Sequence, residues 1–148
     1  MTTLSPSHQL ALRVYYEDTD FSGRVYHASF LRFMERGRTE WLRALGFEHG
    51  ALAGAEGTVF AVRRLEIDYF APAVIDDLLN VDTRLAGLRG ATIDFFQSVL
   101  RGDETLASAR VRVAALRNGR PVRIPPALRA MFETTPHARK GGGRGAGA

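Results

Sequence analysis

The chain has 148 residues, a formal net charge of +4 and no cysteine. It is long enough for one domain with a substantial core, and the lack of cysteine excludes disulfides, thiolate metal sites and cysteine nucleophiles. Three of the net charges, Arg139, Lys140 and Arg144, lie in the acid-free segment from His137 to Ala148. The rest is nearly neutral, so we expect no nucleic-acid partner.

Composition predicts one folded domain over residues 10–133. A flexible N-terminus over residues 1–9 precedes it, and a disordered Gly/Arg-rich tail over residues 134–148 follows it. No apolar run approaches the length of a membrane span, and the first residues lack the basic and apolar regions of a secretory signal. We therefore expect no membrane span and a cytoplasmic location.

The first predicted strand, Leu10–Tyr16, is followed by the polar stretch EDTDFSGRVYH and then by one long helix. We predict Ser29 as the helix N-cap and Gly46 as the residue just past its end. Apolar residues at three- and four-residue spacing form a stripe along this helix. They are Phe30, Phe33, Met34, Gly37, Trp41, Ala44 and Leu45. Gly37 costs the helix about 1 kcal/mol against Ala, which indicates that another backbone approaches closely at this position.

Four strands with a two-residue period follow the helix. They are predicted at Thr58–Phe70, Asp77–Leu88, Ala91–Arg101 and Thr105–Arg117. Asn118-Gly119 predicts a type I′ hairpin turn into a short strand, Arg120–Ile124, and Pro125-Pro126 precedes a short helix, Ala127–Phe132. Short links make these strands antiparallel neighbours. One apolar-striped helix must then cover a single sheet, which is an α+β arrangement.

Several common catalytic motifs are absent from the sequence. It contains no G-x-S-x-G, no H-E-x-x-H, no Walker A motif and no G-x-G-x-x-G. The four histidines are far apart in sequence, so we do not expect a histidine-based metal site.

The stretch EDTDFSGRVYH is the remaining candidate for chemistry. It ends where the long helix begins, and the N–H groups near His27, Ala28 and Ser29 should be the unpaired donors of the first turn. Such donors can polarise a carbonyl oxygen, and Asp20 lies across a turn that contains Gly23. A carboxylate beside such donors suits acyl transfer or hydrolysis. Acidic residues near helix starts are also favourable on dipole grounds alone, so the residues by themselves leave both readings of Asp20 open.

The segment RVYYEDTDFSGRVYHASFLRFMERGRTEWLR closely resembles the YbgC-type acyl-CoA thioesterases, a branch of the 4-hydroxybenzoyl-CoA thioesterase-like hotdog family. The segments VRRLEIDYFAPAVIDDLL and RGATIDFFQ resemble that family too, and the likeness covers about residues 10–133. It implies a hotdog fold, in which an antiparallel sheet wraps around one long central helix. It also implies a homodimer joined by edge-to-edge sheet pairing, or a tetramer, with active sites at the dimer interface.

The family motif D-x-x-G-x-V-Y/F-H/Y carries site residues over to this chain. Asp20 matches the catalytic carboxylate, because it lies three residues before Gly23, whereas strand alternation alone would not separate it from Asp18. The helix N-terminal amide that polarises the thioester carbonyl falls on His27, whose side chain is a candidate for orienting water or substrate. The predicted substrate-binding residues are Tyr16, Gly23, Tyr26 and Arg64. The wider basic candidates for the anionic CoA nucleotide are Arg63, Arg64, Arg89 and Arg110.

The resemblance implies hydrolysis of acyl-CoA thioesters, with Asp20 as general base or as nucleophile. An acyl carrier protein is a possible alternative donor of the acyl group. CoA is part of the substrate, and no metal or redox cofactor is implied. Two alternatives stay open at this point. One is a hotdog dehydratase acting on hydroxyacyl thioesters, which would pair a histidine with a carboxylate across subunits. The other is a non-catalytic acyl-CoA-binding protein.

Overall fold

A computed structural model describes residues 6–46 and 57–134 of the chain. The strands are β1 (Ser7–Arg13), β2 (Val59–Tyr69), β3 (Leu78–Leu88), β4 (Thr92–Arg101), β5 (Glu104–Arg117) and β6 (Arg120–Pro121), and the helices are α1 (His27–Ala44) and α2 (Pro126–Thr134). All neighbouring strands are antiparallel, in the order β1-β3-β4-β5-β2 with β6 beside β5. The predicted α+β arrangement of one sheet and one long helix is confirmed. Neither described helix is long and apolar enough to cross a membrane.

Helix α1 packs one face against the sheet, mainly on β1, β3 and β4. The buried side of the helix contains Ser29, Phe30, Phe33, Met34, Gly37, Trp41 and Leu42. This is the predicted apolar stripe with one shift, because Ala44 is exposed and Leu42 is buried in its place. Helix α2 covers the far end of the same core, where the ring centroid of Phe132 lies 5.0 Å from that of Trp41.

A close approach at Gly37 is present, but side chains of the sheet make it, where the prediction expected another backbone. A Cβ atom built at this position would lie 2.8 Å from Thr83 Oγ1, 2.8 Å from Val81 Cγ1 and 3.2 Å from Gln97 Nε2. The buried Gln97 side chain joins helix to sheet here, because its Nε2 donates to the Met34 carbonyl oxygen and to Thr83 Oγ1, both over 2.8 Å. Glycine therefore allows the helix to lie directly on a polar cluster in the sheet.

The start of α1 differs from the prediction. The helix begins at His27 with Tyr26 as N-cap, and the predicted N-cap Ser29 is buried within the first turn. No side chain caps this end. The residues before it are held by main-chain hydrogen bonds to Ala73 and Asp18. The end of the helix agrees with the prediction, since Gly46 takes a left-handed φ of +92° just past it.

The N-terminal strand also has different bounds. It begins at Ser7, opposite Arg84 of β3, so residues 7–9 belong to the sheet and not to the flexible N-terminus predicted over residues 1–9. It ends at Arg13 because residues Tyr16–Asp18 turn into a short 3-10 helix. The alternation that would have placed Asp18 and Asp20 on one strand face therefore stops before either residue.

Other bounds are close to those predicted. The dihedral angles φ of Asn118 (53°) and Gly119 (77°) are both positive, as the predicted type I′ turn requires. The strand after this turn is shorter than expected, Arg120–Pro121. The predicted tail over residues 134–148 lies outside the described residues except for Thr134, at which α2 ends, and residues 1–5 lie outside them as well.

Candidate active site

The stretch before helix α1 is a tight hairpin over residues 19–25. A bridge joins Thr19 to Val25, and the Asp20 N–H donates to the Arg24 carbonyl oxygen over 2.8 Å. The turn closes with a 3.0 Å bond from the Gly23 N–H to the Asp20 carbonyl oxygen. Gly23 has φ +84°, a left-handed conformation that explains the glycine in the motif. The predicted substrate-binding role of Gly23 is therefore accompanied by a clear role in shaping the turn.

The hairpin is anchored on the loop that precedes β3. Arg24 forms a bridge with Val74, and the Val25 N–H donates to the Ala73 carbonyl oxygen over 2.8 Å. The next residue, Tyr26, donates its N–H to the Asp18 carbonyl oxygen over 3.0 Å. The entry into α1 is therefore fixed by main-chain bonds on both sides.

Asp18 and Asp20 have opposite environments. Asp18 is 5% exposed, and its carboxylate accepts the Tyr15 N–H over 2.8 Å, with Arg32 Nη2 at 3.8 Å from the other oxygen. Asp20 is exposed on the hairpin. The buried carboxylate of Asp18 stabilises the turn, whereas the exposed carboxylate of Asp20 can contact solvent and a ligand. The structure therefore distinguishes two residues that strand alternation alone could not.

The Asp20 carboxylate is held by its neighbour Ser22. Its Oδ1 accepts the Ser22 hydroxyl over 2.6 Å and the Ser22 N–H over 2.8 Å. These hydrogen bonds, the hydroxyl bond first, lower the pKa of Asp20 below its ordinary value, so the group is ionised at neutral pH. Within the described ranges no donor is bonded to Oδ2, so that oxygen can accept a proton or attack a carbon.

The start of α1 presents fewer donors than predicted. The Ser29 N–H is engaged, since it donates to the Tyr26 carbonyl oxygen over 2.7 Å. For the N–H groups of His27 and Ala28, the part of the chain that the structure describes offers no bonded acceptor. Two adjacent N–H groups at the positive end of the helix dipole therefore remain for an external oxygen.

The His27 side chain is exposed between two tyrosine rings. The centroid of Tyr26 lies 4.5 Å from that of His27, and the centroid of Tyr69 lies 6.1 Å away in an edge-on arrangement. Sequence reasoning missed Tyr69, the last residue of β2, whose hydroxyl donates to the His27 carbonyl oxygen over 2.8 Å. Its position at the end of a strand in LEIDYFAP carried no signal for this contact, because 42 residues separate the two partners.

Of the predicted substrate-binding residues, Tyr16 lies close in sequence to Asp20, whereas Arg64 lies far from the helix start. Tyr16 opens the 3-10 turn and is exposed, only four residues before Asp20. Arg64 lies on β2, where it forms an ion pair with Glu66 over 2.9 Å. Since strands rise about 3.3 Å per residue, Arg64 lies roughly 16 Å along the strand from Tyr69. A single chain therefore does not bring Arg64 to the helix start.

Among the cavities on the surface of the described residues are three whose linings do not include Asp20 or His27. One of about 260 Å³ is bordered by Asp18 and Arg36, and one of about 220 Å³ between α1 and the sheet is bordered by Leu42 and Phe60. A third, also of about 220 Å³, lies beside Arg64, Arg110 and Arg112. Asp20 and His27 are both exposed on the single chain. Among the described residues no cluster of His, Asp or Glu could hold a metal ion.

Comparisons with known proteins identify the family. A model of the thioesterase-like superfamily matches residues 14–132. The acyl-CoA thioesterase YbgC of Haemophilus influenzae is 46% identical over 123 residues, which cover 82% of this chain and 90% of that protein.

Solved structures share the fold. The crystal structure of a probable thioesterase from Bartonella henselae has a TM-score of 0.78 at 46% identity and covers 80% of this chain and 99% of its own. A Thermus thermophilus thioesterase, solved in complex with coenzyme A and Zn, has a TM-score of 0.75 at 26% identity and covers 89% and 95%. The chain therefore belongs to the thioesterase-like superfamily of hotdog-fold thioester hydrolases, as a homologue of the YbgC acyl-CoA thioesterases.

Proposed function

We propose that this protein hydrolyses acyl-CoA thioesters at the site formed by the residue 19–25 hairpin and the first turn of α1. The observation that carries the proposal is an exposed, ionised Asp20 on the hairpin that leads directly into α1, whose first N–H groups, of His27 and Ala28, have no acceptor within the described residues. Homology to acyl-CoA thioesterases supports the substrate class.

In the proposed reaction the thioester oxygen accepts hydrogen bonds from the start of the helix, which stabilises the negative charge that develops on it. In one route, Asp20 takes a proton from water, and the resulting hydroxide attacks the carbonyl carbon. The tetrahedral intermediate then expels the CoA thiolate, which is protonated, and the acid is released. In the other route, an Asp20 oxygen attacks the carbon itself, the thiolate leaves, and water hydrolyses the mixed anhydride. Neither route requires a metal or redox cofactor.

We further propose that the active unit is a homodimer, or a tetramer built from such dimers, joined through β2. This strand is an edge of the sheet and has 11 residues, with Val59 and Val62 half exposed. Long unpaired edges with apolar side chains favour pairing with another chain. In a two-fold antiparallel pair, the N-terminal half of one β2 lies beside the C-terminal half of the other. That arrangement would move Arg63 and Arg64 of one chain towards the helix start of its partner.

In the proposed dimer, basic residues of one chain lie near the site of the other. Arg64 would then meet the anionic nucleotide of a CoA bound at the neighbouring site, with Tyr16 and Tyr26 contacting the substrate nearer the thioester. An acyl carrier protein could present the same thioester in place of CoA. The proposed setting for this reaction is the cytoplasm.

The test is a panel of acyl-CoA substrates assayed by release of free thiol, for the wild-type protein and for Asp20→Asn. We expect the wild-type protein to release CoA and the variant to lose at least 100-fold in kcat, the usual contribution of general acid–base catalysis. Asp103→Asn, an exposed residue in the turn between β4 and β5, is the matched control and should keep full activity. Near-wild-type turnover by Asp20→Asn would refute the assigned role. Consumption of a hydroxyacyl thioester without thiol release would indicate a dehydratase instead.

A further inference from the structure

Tyr69 contacts the start of α1 by its ring and by its hydroxyl. The ring packs edge-on against Phe30, with centroids 5.6 Å apart, and against His27. The hydroxyl donates to the carbonyl oxygen of His27, the first residue of the helix, over 2.8 Å. Burial raises the pKa of the Tyr69 hydroxyl, so it remains a donor throughout the working range of pH. This is a specific polar contact between the end of edge strand β2 and the helix start.

The His27 carbonyl and the Ala28 N–H are the two ends of one planar, conjugated peptide group. A carbonyl oxygen has two lone pairs, and in a regular helix one of them accepts the N–H four residues on. The Tyr69 hydroxyl adds a second donor to the same oxygen. It draws electron density towards that oxygen and makes the Ala28 N–H more polar, since linked hydrogen bonds strengthen one another by about 10–30%. It also fixes the direction in which this N–H points.

We propose that Tyr69 is a positioning residue of the thioesterase site, which orients and polarises the Ala28 N–H as a donor to the thioester oxygen. The inference rests on the proposed function, because it requires that oxygen to bind at the helix start. Ala28 then acts beside His27, whose own N–H lies in the preceding peptide group. The residue that acts on this donor comes from β2, 41 residues after Ala28 in the chain.

The alternative is that the hydroxyl only fastens β2 to the helix. Tyr69→Phe separates the two, because it keeps the ring and removes the hydroxyl. We expect kcat to fall about three- to tenfold with KM unchanged, because the donor acts on charge that develops only in the transition state. Such a fall equals about 0.6–1.4 kcal/mol at 1.36 kcal/mol per factor of ten. Tyr15→Phe, at an exposed tyrosine, is the matched control and should leave kcat unchanged.

A second variant acts on the donor itself. Incorporating L-lactic acid at Ala28 replaces the N–H with an ester oxygen and keeps the methyl side chain. We expect this variant to lose more kcat than Tyr69→Phe, and Tyr69→Phe to have no further effect once the N–H is gone. Losses that multiply in the combined variant would show that Tyr69 acts by another route and would overturn the inference.

The outcomes separate this inference from the proposed function. If the wild-type protein releases thiol and Tyr69→Phe keeps its kcat, or changes KM instead, the inference is wrong and the proposed function stands. If the wild-type protein hydrolyses no acyl-CoA, the proposed function is wrong, and the amide resonance of Ala28 in ¹⁵N NMR spectra decides the inference. A shift of that resonance in Tyr69→Phe, absent in Tyr15→Phe, supports the polarisation. An unchanged resonance overturns it.

Discussion

Replacement of Gly37 by alanine should destabilise the protein although alanine is the better helix former. The added Cβ would lie 2.8 Å from Thr83 Oγ1 and from Val81 Cγ1, which is closer than real Cβ contacts come. Both neighbours are β-branched, stiff at χ1 and fully buried in the sheet, so neither can turn away. Helix and sheet must therefore separate by several tenths of an ångström.

Three effects determine how much Gly37→Ala changes the free energy of unfolding. Overpacking a core costs about 1–3 kcal/mol. Moving the helix also weakens the bond from Gln97 Nε2 to the Met34 carbonyl oxygen, a loss of about 1 kcal/mol. The gain in helix propensity is about 1 kcal/mol. We expect Gly37→Ala to lower the free energy of unfolding by about 1–3 kcal/mol, and the melting temperature by roughly 2–12 °C for a domain of this size.

Urea unfolding followed by the fluorescence of Trp41, the only tryptophan, measures this directly. Val81→Ala provides the matched partner, because it removes one of the two clashing atoms. The double variant should be more stable than the sum of the two single losses predicts, by at least about 0.5 kcal/mol. The reasoning fails if Gly37→Ala is as stable as the wild-type protein, or if the two losses simply add.

Two further predictions concern the hairpin and the helix start. His27→Ala should reduce kcat by less than Asp20→Asn does, since it keeps the backbone N–H, and thiol-release kinetics of the two variants compare them directly. An equal loss of kcat in the two variants would contradict this prediction and would indicate that the His27 imidazole itself takes part in the reaction. Ser22→Ala should raise the pKa of Asp20 towards its ordinary value, because the hydroxyl bond is the largest cause of its lowering. In the wild-type protein the carboxylate thus stays ionised to lower pH than in the variant. Titration of the Asp20 carboxyl carbon by NMR measures the change, and identical curves would contradict the assigned cause.

Periodicity in the sequence predicted the elements that pack against one another over many residues. The apolar stripe of α1, the strands β2 to β5 and the Asn118-Gly119 turn were each predicted from local spacing, and each is present in the structure. Burial follows a regular two-residue alternation in β4, whereas β2 and β3 depart from it. Gly37 was informative because glycine destabilises a helix, so its presence indicates a tertiary constraint. The side chains of Thr83 and Val81 provide that constraint, since they leave no room for a Cβ atom.

The features that sequence reasoning missed depend on partners distant in the chain. The helix begins at His27 because main-chain bonds to Asp18 and to the loop before β3 hold the preceding residues. The preference of helix N-termini for a serine cap therefore predicted Ser29. The contact of Tyr69 with His27 joins two elements whose relative position no local pattern gives. In the candidate site, the motif predicts roles for Asp20 and Gly23, but it does not predict the Ser22 bonds that hold the carboxylate.

The strand order has a consequence for the order in which the molecule folds. Strands β3, β4 and β5 are sheet neighbours joined by short turns, so they can pair early and at little loop-closure cost. Strand β1 must wait for β3, since partners such as Gln9 and Asp82 lie 73 residues apart in the chain. The hairpin over residues 19–25 is anchored on the loop that precedes β3, and it waits as well. Because contacts distant in sequence form slowly, we expect the site to be the last region to assemble, only after the later half of the chain has supplied its support.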